Sequence, residues 1–462
     1  MTESNLNLKY LWSITVVAAL GGMLFGYDWV VIGGAKPFYE ARLGLTTPFE
    51  IGWAMSSALA GCFAGSLISG ALSDRYGRKL LLIAAGFFFT ASAIGTAFAN
   101  SLLSFSFWRL VGGVGIGLAS NLSPIFIAEI SPDAMRGRLV SVNQLTIVIG
   151  ILAAQIVNWL IAEPVAAGAA AAELAASWNG RLGWRWMFGA ETVPALMFFF
   201  AMFAVPESPR WLVKNRQEEK ARAILGRIGG GAYAQEALSN IQATLRDETE
   251  KADFRRLLDP RMRRILVLGV TLAVFQQWCG INVIFNYAAD IFSAAGYGVS
   301  AILLNIVITG TVNLLFTFVA IRLVDRVGRK ALMLFGAGGL FFIYLLIGAS
   351  YHFHSAGVHL LVLVVTAIAC YACTLAPVTW VVLSEIFPNR IRGAAMSVSV
   401  SALWTACFIL TYSFPILNSG LGPDRTFWTY AGICVLGFLF IWKRLPETRG
   451  RSLETIEREL VD

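Results

Sequence analysis

Long apolar runs separated by short polar segments fill the chain, near residues 10–35, 50–72, 80–99, 102–127, 138–162, 184–205, 263–289, 299–321, 331–350, 359–383, 393–417 and 426–443. Most are about twenty residues or longer, the length at which an α-helix crosses the hydrocarbon core of a bilayer. Lipid offers no partner to backbone N–H and C=O groups, so runs of this length predict helices rather than barrel strands. The pattern therefore predicts an all-α membrane protein with twelve transmembrane helices. One long polar stretch, 206–262, divides the runs six and six. The expected organisation is a first six-helix bundle over 1–205, a cytoplasmic helical linker over 206–262, a second bundle over 263–443 and a short cytoplasmic tail over 444–462. Within the linker, Gln217–Arg227 and Gln235–Lys251 interleave charges with Ala, Leu and Ile at helical spacing and read as amphipathic helices. The first run is too long for a cleaved signal peptide and is expected to remain as a span.

Composition agrees: of 462 residues, 57% are apolar and 14% charged, against about 25% charged in a soluble protein. A net charge of +8 could suggest nucleic acid as a partner, but Lys and Arg gather in alternate short segments, at 74–79, 136–138, 214–264, 322–330 and 390–392. That is the positive-inside pattern, which puts those segments and both termini in the cytoplasm and leaves no nucleic-acid partner. All six cysteines fall in predicted spans, so no structural disulfide is expected. Cys370 and Cys373 form a C-x-x-C without neighbouring ligands, and Gly112–Gly117 (GGVGIG) lies inside a span with no strand before it; both read as helix packing. His352, His354 and His359 read as a solvated loop. No cofactor or metal is expected, and with no nucleophile–base pair an enzyme is not expected either.

Repetition organises the chain. GALSDRYGRK at Gly70–Lys79 returns as IRLVDRVGRK at Ile321–Lys330, about 250 residues later. AEISPDAMRGRL at Ala128–Leu139 is answered by SEIFPNRIRGAA at Ser384–Ala395, and Pro206–Glu207 by Pro446–Glu447. Three matched pairs in one order predict two parallel six-helix halves related by duplication.

These motifs, with PESPRWL at Pro206–Leu212, QQWCGIN at Gln276–Asn282, PVTWVVLSEIFP at Pro377–Pro388 and PETRGRSLE at Pro446–Glu454, carry a resemblance. The chain resembles the sugar porter family of the major facilitator superfamily, and is most similar to bacterial sugar:proton symporters of the xylose type, over nearly its whole length. The resemblance implies the major facilitator fold, import of a pentose or hexose by proton symport through alternating access, a bacterial inner membrane and action as a monomer. The alternatives are a passive sugar uniporter and a transport-inactive sugar sensor of the same fold.

Charge inside the membrane is the sharper clue. An Asp at a helix centre costs about 2.5–3.5 kcal/mol on insertion scales and is normally paired or wet. Asp28 lies deep in the first span, and Arg109 begins a fourth span with almost no other charge. They are expected to meet, so that helix movement changes the proton affinity of the carboxylate. The resemblance implies the same role for Asp28 and adds Glu191, in the sixth span, as a second symporter carboxylate. One proton crossing about 100 mV yields about 2.3 kcal/mol and each pH unit about 1.4, enough for accumulation of the order of hundred-fold.

A sugar requires hydroxyl partners and an aromatic face, with few full charges. Gln276, Gln277 and Asn282 in the seventh span, Gln144 in the fifth, Asn313 in the eighth and Trp380 in the tenth supply them, and the resemblance places these at sugar-binding positions. Against the xylose-type pattern the chain has Asn286 then Tyr287 in place of paired tyrosines. It has Ala376 before Pro377 in place of Gly, and Leu403 before Trp404 in place of an amide. The sugar is therefore left open. Finally, Asp74, Arg75, Arg78, Glu129, Arg136 and Glu207 in the first half, with Asp325, Arg326, Arg329, Glu385, Arg392 and Glu447 in the second, are expected to form a cytoplasmic charge network between the halves that favours the outward-open state.

Overall fold

The structure, a computed structural model, describes residues 6–166, 169–247, 259–355, 357–387 and 392–449. Among the described residues, twelve helices are long and apolar enough to span a membrane. In the first half they are Leu8–Leu43, Pro48–Tyr76, Arg78–Ala97, Leu102–Ile130, Arg136–Ile161 and Asn179–Ala204. In the second half they are Met262–Asn286, Val299–Val324, Arg329–His352, Val358–Ile386, Ala394–Leu421 and Pro423–Arg444.

Local chemistry sets several of these ends. Asn7 caps the first span through Tyr10 N–H, and the span stops where Gly44 takes φ 68°. The second starts with a reciprocal capping box between Thr47 and Glu50, with Pro48 in its first turn. The two D-R-x-G-R-K turns reverse the chain at a single glycine, Gly77 at φ 93° and Gly328 at φ 105°. A Cβ at Gly77 would stand 2.2 Å from Glu207 Oε2, and one at Gly328 would stand 2.7 Å from Glu447 Oε2. Both the dihedral and the approach of the glutamate thus require glycine.

The halves repeat one packing scheme: spans one and five, two and four, and three and six pair in the first half, as do seven and eleven, eight and ten, and nine and twelve in the second. The GGVGIG segment does what small residues do between helices, since a Cβ on Gly113 would meet Ala58 O at 1.9 Å and one on Gly117 would meet Cys62 O at 2.4 Å. Between the halves, the second span packs on the eleventh, the fifth on the eighth, and the first on the broken end of the seventh. The polar bonds described across this seam, Lys36–Asp290 and Val165–Ser300, lie on the face opposite the D-R-x-G-R-K turns. That face is closed.

Some elements differ from the hydropathy reading. The first span runs on to Leu43 and so takes in Lys36 and Glu40. The seventh breaks between Pro260–Trp278 and Ile281–Asn286, with Gly280 at φ 88°. The tenth breaks at Thr374 (φ −126°, ψ −90°), which puts Pro377 in the first turn of Leu375–Ile386 where its missing N–H costs nothing. The linker forms the short helix Pro209–Lys214 and a helix over Glu218–Asp247 kinked at Gly230. These pack into a small core of their own around Leu212, Leu225 and Leu238. Between the fifth and sixth spans lies the short helix Ala171–Ala176.

Candidate functional site

The first span carries Asp28 at its middle, and the fourth reaches it with Arg109; the two side chains are 1% and 2% exposed and form an ion pair. Arg109 also donates to the Asp28 carbonyl at 3.1 Å and lies over the Phe188 ring, 5.5 Å from its centroid. Gly112 makes room for this pair, since a Cβ there would stand 2.8 Å from Asp28 Oδ2. Glu191 sits at the start of helix Thr192–Ala204, 2% exposed, within electrostatic reach of both Asp28 and Arg109. Asp28 Oδ2 and Glu191 Oε1 have no hydrogen-bond partner among the described residues. The expected trio is therefore together. Asp28 bonds Arg109, and Glu191 is a second buried carboxylate within the field of that pair, where an uncompensated charge is costly.

The break at Gly280 shapes the next group. It turns Asn282 back so that its Nδ2 donates to Gln277 Oε1, while Gln277 Nε2 donates to Gln276 Oε1 and Gln276 Nε2 donates to Tyr371 Oη at 2.7 Å. Asn282 Nδ2 also lies 3.7 Å from Cys407 Sγ on the eleventh span. Tyr287 Oη donates to the Thr411 carbonyl at 2.7 Å. Gln276, Gln277 and Asn282 thus form a buried chain of amides, each still carrying donors and acceptors for a hydroxyl. Trp404 stands at the seam with its ring 5.7 Å from Trp29 and 5.9 Å from Phe25, both on the first span. Trp29 follows Asp28 directly, and it lines a small cleft together with Arg109, Met55 and Asn286. The Asp28–Arg109 ion pair and the aromatic seam therefore meet at one cleft. Asn313 is buried on the eighth span, Gln144 is exposed on the fifth, and Trp380 is 39% exposed on the tenth. No described hydrogen bond joins the side chains of these three to the amide chain.

In this conformation no described bond joins the charge clusters of the two halves at the turns, and the expected network belongs to the outward-open state. Arg78 bonds Glu129 Oε1 at 3.0 Å, Asp74 at 3.2 Å and the Ser73 carbonyl at 3.1 Å. Glu207 accepts from the backbone N–H of Arg78 and Lys79, and Lys214 bonds Asp74 at 2.9 Å. In the second half Arg329 bonds Glu385 Oε1 at 3.1 Å and the Val324 carbonyl at 3.1 Å, and Glu447 accepts from Arg329 and Lys330 N–H. Neither described cluster crosses to the other half, and the first draws in Glu207 and Lys214 of the linker. Arg136 turns away to Asp133 and the Ala128 carbonyl, Arg75 lies over Tyr76, and Arg326 is exposed. The side chains of Asp325 and Arg392 lie outside the described residues.

Missed in the sequence is the tie across the closed face: Lys36 Nζ bonds Asp290 Oδ1 at 2.8 Å and Glu40 at 2.9 Å, with Lys36 itself 3% exposed. A Lys and a Glu four apart at the end of an apolar run was the available signal.

Comparison with known proteins places this arrangement. The profile of the family described as sugar (and other) transporter matches residues 14–460. The D-xylose-proton symporter of Escherichia coli (strain K12) is 38% identical over 482 residues, covering 98% of this chain and 96% of that protein. The arabinose-proton symporter of Bacillus subtilis (strain 168) is 38% identical over 446 residues, covering 96% and 94%. A partially occluded inward-open structure of the E. coli xylose transporter XylE superposes with a TM-score of 0.84 at 35% identity, covering 96% of this chain and 100% of that one. With its twelve spans in two repeated halves, the chain belongs to the sugar transporter family of the major facilitator superfamily and is a multi-pass membrane transporter rather than an enzyme.

Proposed function

We propose that this protein imports a pentose or hexose by proton symport, through alternating access, in a bacterial inner membrane with both termini and both D-R-x-G-R-K turns cytoplasmic. One observation carries the coupling: Asp28 pairs with Arg109 in a buried site, with Glu191 buried within electrostatic reach of both, and the wall of that site continues into the Trp29–Trp404 seam. Two carboxylates against one cation are neutral only with one proton bound. Opening the seam wets the site and parts Trp404 from Trp29, so that charge and sugar occupancy change in one movement. Supporting the reading are the similar symporters for D-xylose and arabinose. The sugar would rest against Trp404 and the amides of Gln276, Gln277 and Asn282, with Asn286, Tyr287, Asn313, Gln144 and Trp380 as further lining. In this conformation the closed Lys36–Asp290 face is the periplasmic one and the carrier faces inward.

The test uses purified protein in proteoliposomes with a panel of labelled pentoses and hexoses headed by D-xylose. Wild type should accumulate its sugar under an inward proton gradient and show counterflow without one. Asp28→Asn should keep counterflow and lose accumulation. Accumulation retained in that variant would remove Asp28 from the coupling step, and wild-type counterflow indifferent to any gradient would leave a passive carrier.

A further inference from the structure

Gln155 lies on the fifth span, 2% exposed, and neither its Nε2 nor its Oε1 has a hydrogen-bond partner among the described residues. Leaving a buried amide unpaired costs about 1–3 kcal/mol per orphaned group, and an apolar residue of the same size would remove that cost. The depth of the residue is informative. On the same helix Gly150 packs against Met23 and Tyr27, and Asn158 donates to the Val31 carbonyl at 2.8 Å, so Gln155 stands level with Asp28 and its neighbours. It faces the other half of the molecule: its Oε1 lies directly over Gly310 on the eighth span, where an added Cβ would stand only 1.7 Å away. Gly310 precedes Asn313 by one helical turn on the same helix face. Gln144, eleven residues before Gln155, shares its stripe on the fifth span, since about 3.6 residues make a turn.

The contact between Gln155 and Gly310 therefore belongs to the seam that must part when the Lys36–Asp290 face opens. We infer that Gln155 is a sugar-hydroxyl ligand used only in that opened state, where its amide meets sugar coming from the Lys36 face, and that it is stored against the bare backbone of Gly310 when the seam closes. A primary amide offers both donor and acceptor, which suits a hydroxyl, and it does so here without adding charge to a neutral substrate. Glycine at 310 is what leaves space for the stored side chain. Gln155 thereby discriminates sugars before the amide chain of the seventh span engages them. The inference rests on the sugar-carrier reading above.

The experiment compares wild type with Gln155→Leu and Gln155→Met in proteoliposomes of known orientation, using whichever sugar of the D-xylose-headed panel shows wild-type counterflow. Both variants should raise KM about ten-fold for sugar presented at the Lys36 face and leave KM at the opposite face unchanged. Their thermal unfolding temperature should hold or rise, because the unpaired amide is gone. KM unchanged at both faces, or raised equally at both, would overturn the assignment while leaving the carrier reading intact. If no pentose or hexose gives wild-type counterflow, the carrier reading falls and this inference with it.

Discussion

Lys36 of the first half stands 2.8 Å from Asp290 of the second, and this ion pair ties the halves together at the face opposite the basic turns. Lys36 is buried while the Asp290 side chain is 36% exposed, so the pair lies between a dry and a surface bridge and contributes about 1–2 kcal/mol. Lys36→Met is expected to shift the population toward the state open at this face by about ten-fold. Spin labels placed across the face would read longer distances; an unchanged distribution would show that helix packing alone holds it shut.

Gly112→Ala tests the room around Asp28. The new methyl would stand 2.4 Å from Ser92 Oγ and 2.8 Å from Asp28 Oδ2, forcing one of them to move. Overpacking of this kind costs about 1–3 kcal/mol. Uphill accumulation should fall before exchange does, and adding Ser92→Gly should restore part of it. Full coupling in Gly112→Ala alone would mean that the pair tolerates displacement.

Much of this was legible in the chain and some was not, for identifiable reasons. Twelve spans follow from run length, and the duplication follows from three motif pairs in one order. Asp28 and Arg109 could be matched because each is a rare charge in an apolar helix, and burial leaves such charges few choices of partner. The amide chain was only half legible, because the break at Gly280, which turns Asn282 onto Gln277, follows from a dihedral that the hydropathy pattern does not carry. Tyr371, the partner of Gln276, sits in a different span with nothing nearby to single it out. Lys36 was passed over because apolarity falls off at Ala35, whereas the helix continues through Pro37 to Leu43. At the turns Asp74, Arg78, Glu129, Glu207, Arg329, Glu385 and Glu447 join the described clusters while Arg75, Arg136 and Arg326 do not, since motif repetition says which groups are equivalent and not which ones touch.

Trp29→Ala should weaken sugar handling while leaving the Gln276–Gln277–Asn282 chain in place. The indole makes two ring contacts, at 5.7 Å to Trp404 and 5.8 Å to Phe25, and such pairs are worth about 0.5–1.5 kcal/mol each. A KM increase of about ten-fold is expected, largely recovered in Trp29→Phe. Transport kinetics indistinguishable from wild type would separate the seam aromatics from the sugar site.

Glu447 supplies a pH prediction. Partial burial pushes its carboxyl up, but backbone N–H donors from Arg449, Arg329 and Lys330 outweigh this and hold it below the usual range. Its contribution to stability is therefore present above the unfolded value, about 4.3, and is lost as pH falls through the depressed folded value. Glu447→Gln should lower the unfolding temperature at neutral pH by about one to two degrees, a small effect because the group is only partly buried, and the gap should close in acid. A gap that stays constant down to pH 3 would assign the effect to shape rather than charge.

The twin clusters at Gly77 and Gly328 have a consequence for biogenesis. Every described bond of the first, from Asp74 and Arg78 to Glu129, Glu207 and Lys214, is made by residues that emerge from the ribosome before the seventh helix does. The amino-terminal bundle can thus lock its own rim during insertion, with no help from a carboxy-terminal bundle that has yet to be synthesised.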